Sequence, residues 1–124
     1  MNLHHINIKG PRELLEQEKE FFCSVLGLQE GPRPNFPSKG HWLYANNKSI
    51  VHLSESDKHY KNEKQGFFDH IAFQSSDLKK QIQILKEKNV DYSVVYLPEI
   101  DMTQVFMKSP SGIGIEINFE KERL

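Results

Sequence analysis

The sequence predicts an α+β protein made of two successive βαβββ modules, and three observations carry that prediction. The stretch "LHHINIKG" (residues 3–10) returns 65 positions later as "FDHIAFQS" (68–75), with His70 where His5 stood. Both alternate apolar and polar residues with a period of two, the mark of a strand with one buried face. Each is followed by a segment with apolar residues at helical spacing. Each half then closes on a strand that alternates in the same way: Val51 and Leu53 flank His52, while Ile115 and Ile117 flank Glu116.

Taken in order, the first strand pairs Ile6 with Ile8 on one face and His5 with Asn7 on the other. Gly10-Pro11 breaks it, and "PRELLEQEKEFFCSVLGL" (11–28) begins a helix with Pro11 in its first turn. Leu14, Leu15, Glu18, Phe21, Phe22, Val25 and Leu26 recur at helical spacing, and Gly27 is placed to end the helix. "QEGPRPNFPSKG" (29–40) carries three of the six prolines and holds regular structure only briefly, with one weak strand around residues 28–31. "HWLYANN" and "KSIVHLSES" read as two strands joined by a hairpin turn at Asn46-Asn47, because asparagine tolerates positive φ. The charged stretch "DKHYKNEKQGF" (57–67) reads as a polar linker between repeats spanning about 1–57 and 66–124 of a single domain.

The second half repeats the order. After the strand "FDHIAFQ", Ser75 or Ser76 caps a helix whose apolar stripe is Leu78, Ile82 and Leu85. "VDYSVVYL", "TQVFMKS" and "GIGIEINFE" follow as three strands, with "SPSG" as the turn between the last two.

A chain of 124 residues supports one domain and buries roughly two-thirds of its unfolded surface. Sixteen basic and 17 acidic residues leave a net charge of −1, which supplies no broad field for nucleic acid or an anionic membrane. No apolar run approaches 18 residues and no apolar leader precedes the first strand, so a cytoplasmic protein is expected. The three arginines, Arg12, Arg33 and Arg123, are scattered along the chain. The single Cys23 is expected as a buried thiol within the first helix.

His5, His52, His70 and Glu116 are ligand-type residues at repeat-equivalent strand positions, and a pseudo-twofold packing of the halves would make them converge. Three imidazoles and one carboxylate suit zinc, iron(II), nickel, cobalt or manganese, and the lack of thiolates argues against a structural zinc knot. Taken singly, each histidine is more often a hydrogen-bonded surface residue and Glu116 a solvated one. The shared placement is what favours ligation. His4 is expected on the face opposite His5, as a rim or packing residue. His41 and His59 are expected to be solvated in loops. No alternation singles out Glu55 or Glu63. Phe36, Trp42, Tyr44, Tyr96 and Phe106 are candidates to line a substrate groove or to fill the core.

At these residues the sequence resembles the vicinal oxygen chelate superfamily, which includes glyoxalase I, fosfomycin-inactivating thiol transferases, extradiol dioxygenases and bleomycin-binding proteins. "HHINI", "FFCSVLGL", "VHLSE", "DHIAFQSSDL" and "QVFMKSPSGIGIEI" carry the likeness along nearly the whole chain. The resemblance implies that the two βαβββ modules form an incomplete barrel around a divalent metal. It implies ligation by His5, His70 and Glu116, with His52 at a fourth site where glyoxalases often carry glutamate. It implies a metal-dependent enzyme of glyoxalase type, an isomerase or lyase acting on a small substrate with adjacent oxygens, with Glu116 doubling as ligand and base. Fosfomycin-type thiol transfer, dioxygenation and antibiotic sequestration are the alternatives. Phe106 stands where ring-cleaving dioxygenases carry tyrosine, which counts against that chemistry. The resemblance also implies a homodimer.

Overall fold

The structure is a computed structural model that describes residues 1–58 and 66–124. His59, Glu63 and most of the expected linker lie outside the described residues. The chain divides into two compact units, Met1–Lys64 and Gln65–Leu124.

The first unit runs β1 (Ile6–Gly10), α1 (Arg12–Ser24), β2 (Gln29–Gly31), β3 (Gly40–Ala45) and β4 (Lys48–Glu55). The second runs β5 (His70–Ser75), α2 (Leu78–Glu87), β6 (Tyr92–Leu97), β7 (Met102–Lys108) and β8 (Gly114–Glu120). Each folds into a four-stranded sheet, in the orders β1-β4-β3-β2 and β5-β8-β7-β6. In each, the first strand lies parallel to the last and the remaining pairs are antiparallel.

The registers show the repeat directly. Ile6 pairs with Val51 and Asn7 with His52; Ile71 pairs with Ile115 and Ala72 with Glu116. The two ladders are therefore equivalent residue for residue. His52 and Glu116 occupy the same rung, and His5 and His70 stand two residues ahead of it.

The apolar residues that predicted these elements form the cores. In the first unit Leu15, Phe21, Phe22 and Val25 are buried on α1, with Leu43, Val51 and Leu53 buried on β3 and β4, which α1 contacts. Burying each such side chain stabilises by about 1.5–3 kcal/mol. Glu18, which shares the helical stripe, is fully buried too. In the second unit Leu78, Ile82 and Leu85 are buried on α2, and Val105, Met107, Ile115, Ile117 and Phe119 on β7 and β8. Asn46 and Asn47 form the β3–β4 turn with φ of 51° and 63°.

Several local expectations are corrected. Pro11 is the N-cap of α1, one residue ahead of the first turn; its extended ψ of 153° lets its carbonyl accept from Leu15 N–H. Neither Ser75 nor Ser76 caps α2, because Ser75 is still in β5. Asp77 is the N-cap, in the left-handed region, and its side chain accepts from Lys80 N–H. Cys23 is only half-buried, since it lies beside the buried stripe of α1. His5 precedes β1, which starts at Ile6, and is exposed.

Candidate metal centre

His70 opens β5 against Gly114 of β8. A Cβ at Gly114 would lie 2.3 Å from the Asp69 carbonyl oxygen and 3.0 Å from His70 Cβ, so a glycine is required for the two strands to approach here. Two rungs on, Glu116 projects from β8 and is buried. The side chains meet: His70 Nε2 lies 2.8 Å from Glu116 Oε2. Two donors on adjacent octahedral positions, each about 2.1 Å from an ion, are themselves about 3.0 Å apart. The two donors thus lie about as far apart as neighbouring ligands of one ion.

Both members are oriented from behind. Asp69 Oδ2 lies 2.7 Å from His70 Nδ1, and with the proton on Nδ1 the nitrogen open to an ion is Nε2. Gln104 Nε2 donates to Glu116 Oε1 over 2.6 Å and to Asn118 Oδ1 over 3.1 Å. Glu116 Oε1 is thereby occupied and Oε2 is the oxygen offered to His70. The hydrogen bond to Asp69, reinforced by the Glu116 charge, holds the His70 imidazole above its usual range. A cation entering between the pair therefore has to displace a proton.

The first unit repeats part of this design. His4 stands where Asp69 stands in the second repeat, and His4 Nδ1 lies 2.9 Å from His5 Nδ1. His4 is thus a partner for the ring of His5, where the opposite face had been expected. Trp42 pairs with His52 across β3 and β4, as Phe106 pairs with Glu116 across β7 and β8. The His52 ring is sandwiched: Trp42 stacks on one side at 4.1 Å and 10°, and His5 on the other at 3.9 Å and 14°. Burial, and after it the nearby charge of His5, lowers the His52 imidazole below its usual range. Its Nε2 lies 3.2 Å from Ser49 Oγ.

Ring nitrogens bind metals in the ring plane, and two parallel rings stacked face to face share no in-plane point. An ion bonded to both His5 and His52 at about 2.1 Å would sit far out of both planes. As disposed, one of the two can serve an ion, and His52, clamped by Trp42, fits the part of a wall. Among the described residues, no group of three or more His, Cys, Asp or Glu side chains is gathered to hold a metal. Each unit shows a pair.

The remaining candidates resolve individually. His41 is on β3 and half-buried, with Nε2 at 2.9 Å from Glu16 Oε1 and Nδ1 against Glu30, so the solvated loop histidine is corrected to a strand residue held between two carboxylates. Glu55 pairs with Arg12 at 2.5 Å. Arg12 and Arg33, distant in sequence, both line a hollow that includes Glu16 and Glu55. Phe106 meets the His70 ring edge-on at 6.2 Å, and Tyr96 donates to Asp101 over 2.8 Å. Tyr44 donates to the Pro32 carbonyl. Burial pushes the Cys23 thiol up, away from thiolate chemistry. Sequence reasoning missed Asp69 and Gln104; an acidic residue directly before His70 was the available signal for the first.

No family model matches the sequence, and no curated protein matches it. Solved structures do. A glyoxalase/dioxygenase from Nostoc punctiforme superposes with a TM-score of 0.77 at 17% identity, over 98% of this chain and 92% of the other. A protein assigned to the glyoxalase family from Bacillus anthracis gives 0.75 at 19%, over 98% and 96%. A mutant of the fosfomycin resistance protein FosX from Listeria monocytogenes, complexed with Mn(II) and 1S,2S-dihydroxypropylphosphonic acid, gives 0.73 at 14%, over 96% and 92%.

Proposed function

The chain has the α+β fold of the glyoxalase, bleomycin resistance and dioxygenase proteins, and we propose that it is a divalent-metal-dependent enzyme of glyoxalase type. The substrate is a small molecule with neighbouring oxygens, and the reaction an isomerisation or lyase step of the kind lactoylglutathione lyase performs. The ligands are His70 and Glu116, with His5 as the third donor that the sequence repeat assigns. His52 forms a wall of the first unit's open face. The observation that carries the reading is the 2.8 Å approach of His70 Nε2 to Glu116 Oε2, with Asp69 and Gln104 fixing each side chain.

A bound divalent ion would act as a Lewis acid and template, polarising the substrate's adjacent oxygens. The chain's own residues do the rest. Glu116 Oε2 is the oxygen of that carboxylate that Gln104 does not hold, and it would serve in turn as ligand and as base, taking a proton from one substrate carbon and returning it to the neighbouring one. Asp69 would accept a hydrogen bond from His70 Nδ1–H and so orient the ring.

The test combines metal content and turnover. Protein purified without chelators is expected to carry close to one first-row divalent ion per chain, and the His70→Ala variant far less. A hemithioacetal formed from a small thiol and a 2-oxoaldehyde is expected to turn over with the metal-loaded protein and not with Glu116→Gln. Equal metal content in wild type and His70→Ala would end the ligand assignment.

A second reading, a small-molecule binder without chemistry, is favoured by the hollow beside His52 that Phe36 and Trp42 wall. Saturable ligand binding with no turnover under any added metal would select it.

A further inference from the structure

The first unit holds a hollow of about 390 Å³ lined by Asn7, Lys9, Arg33, Phe36, Trp42 and His52, with Pro37, Ser38 and Ser54. Among the described residues Lys9 and Arg33 are its charged lining and no carboxylate lines it, whereas the hollow beside His70 includes Asp69. Arg33 and Phe36 also border the hollow beside Arg12, which includes Glu16 and Glu55. Lys9 stands where the second repeat has Gln74, so this charge belongs to the first unit alone.

Arg33 is built into the hollow rather than draped on the surface. Its Nη2 lies 3.1 Å from where a Cβ at Gly40 would stand, a position that the Leu53 carbonyl oxygen, at 2.0 Å, already closes to any side chain. Nη1 donates to the Ser38 carbonyl over 3.0 Å, and the guanidinium lies 4.9 Å over the Phe36 ring. Its Nε is buried and meets no acceptor among the described residues. The Nε is closed off from a ligand, and the remaining Nη hydrogens are the donors left for a planar or tetrahedral oxyanion. Beside it, Phe36 is 45% exposed and packs 6.1 Å from Trp42, which in turn backs His52. Exposed aromatic surface adjoining two cations suits a ligand with a flat apolar part and an anionic end.

We propose that this hollow is an oxyanion-recognition subsite, in which Lys9 and Arg33 hold a carboxylate, phosphonate or phosphate group of a ligand whose flat apolar portion lies on Phe36 and Trp42. The proposal names the substrate class of the enzyme read above and rests on that reading for its catalytic meaning. Binding at the hollow needs neither His70 nor Glu116, so it is tested without metal.

Trp42 is the only tryptophan, so intrinsic fluorescence reports on the hollow itself. Chelator-treated full-length protein is titrated with phenylphosphonate, with benzyl alcohol as the neutral aromatic and inorganic phosphate as the free oxyanion. Phenylphosphonate is expected to give a saturable change that weakens as salt is raised. Arg33→Gln and Lys9→Gln are each expected to weaken it about tenfold, the loss of one charge-assisted contact, while Arg123→Gln leaves it unchanged. Thermal unfolding of each variant shows that it is folded, and Lys9, exposed at a sheet edge, serves if Arg33→Gln is not. Benzyl alcohol binding as tightly as phenylphosphonate would overturn the ionic part. Phosphate binding as tightly would overturn the aromatic part. Affinity unaltered in both variants, or no saturation by 10 mM on the order of weak small-ligand affinities, would overturn the whole. Failure of the metal-content test alone would leave these results standing.

Discussion

At the scale of single residues, the proposed centre depends as much on what stands behind the ligands as on the ligands. Asp69 touches His70 Nδ1 at 2.7 Å, which determines the nitrogen left for an ion. Removing such an orienting carboxylate typically lowers metal affinity by about 10–100-fold. Because the Asp69 side chain is 92% exposed, the lower end of that range is expected for Asp69→Asn. Competition with a fluorescent chelator measures it, and an unchanged affinity would remove Asp69 from the design. A second residue-scale prediction concerns pH. The hydrogen bonds from His41 and then Lys19 hold the Glu16 carboxyl below its usual range. A depressed carboxylate contributes stability that is complete above the unfolded pKa of about 4.3 and is lost as pH falls through the lower folded value. Glu16→Gln is therefore expected to lower the melting temperature slightly near pH 6, with the difference gone in strong acid. A difference that persisted or grew below pH 3 would contradict the pairing.

At the scale of elements, α2 shows how distant residues set a helix start that local sequence suggested differently. Asp77 supplies the near cap, and Glu122, far along the chain, accepts from the backbone N–H groups of Asp77 at 2.9 Å and Leu78 at 2.7 Å. The Thr103 hydroxyl in turn donates to the Glu122 carbonyl over 2.5 Å, holding that segment in place. A carboxylate on the first free N–H groups of a helix satisfies donors and opposes the positive end of its dipole. Glu122→Ala is expected to cost about 1–2 kcal/mol, within the range for lost caps, and Glu122→Gln less, as read by urea denaturation. A neutral Glu122→Ala would show that water replaces the carboxylate without loss. The strands and helices themselves were legible because period-two and helical spacing report burial directly, as with Ile71 and Phe73 or Leu78, Ile82 and Leu85. Asp77 was legible as a cap-type residue directly before Leu78, whereas Glu122 was not, because it reaches the helix start only after β8 has folded beside β5. For the same reason His41 read as a loop histidine: its partners Glu16 and Glu30 come from α1 and β2.

At the scale of the whole molecule, the duplication places ligand-type residues at matching rungs of two sheets, and that much was readable from the spacing of His5, His52, His70 and Glu116. What the spacing could not convey is that the copies have diverged. The second unit faces an imidazole with a carboxylate, an arrangement fit for a cation, while the first stacks two imidazoles on an indole. Stacking on His52 covers a face of the His5 ring and leaves its in-plane nitrogens open to an ion, so His5 is the first unit's candidate donor. Binding to the folded chain then raises apparent stability by about 2.7 kcal/mol at a hundredfold excess of metal over Kd. Wild-type protein is expected to show that gain on addition of Mn(II), Ni(II) or Zn(II) and to bind one ion per chain. His5→Ala and His70→Ala should each abolish the gain, while His52→Gln should retain most of it. A gain that survives His5→Ala but not His70→Ala would confine the centre to the second unit, and retention in both would remove the two imidazoles from it.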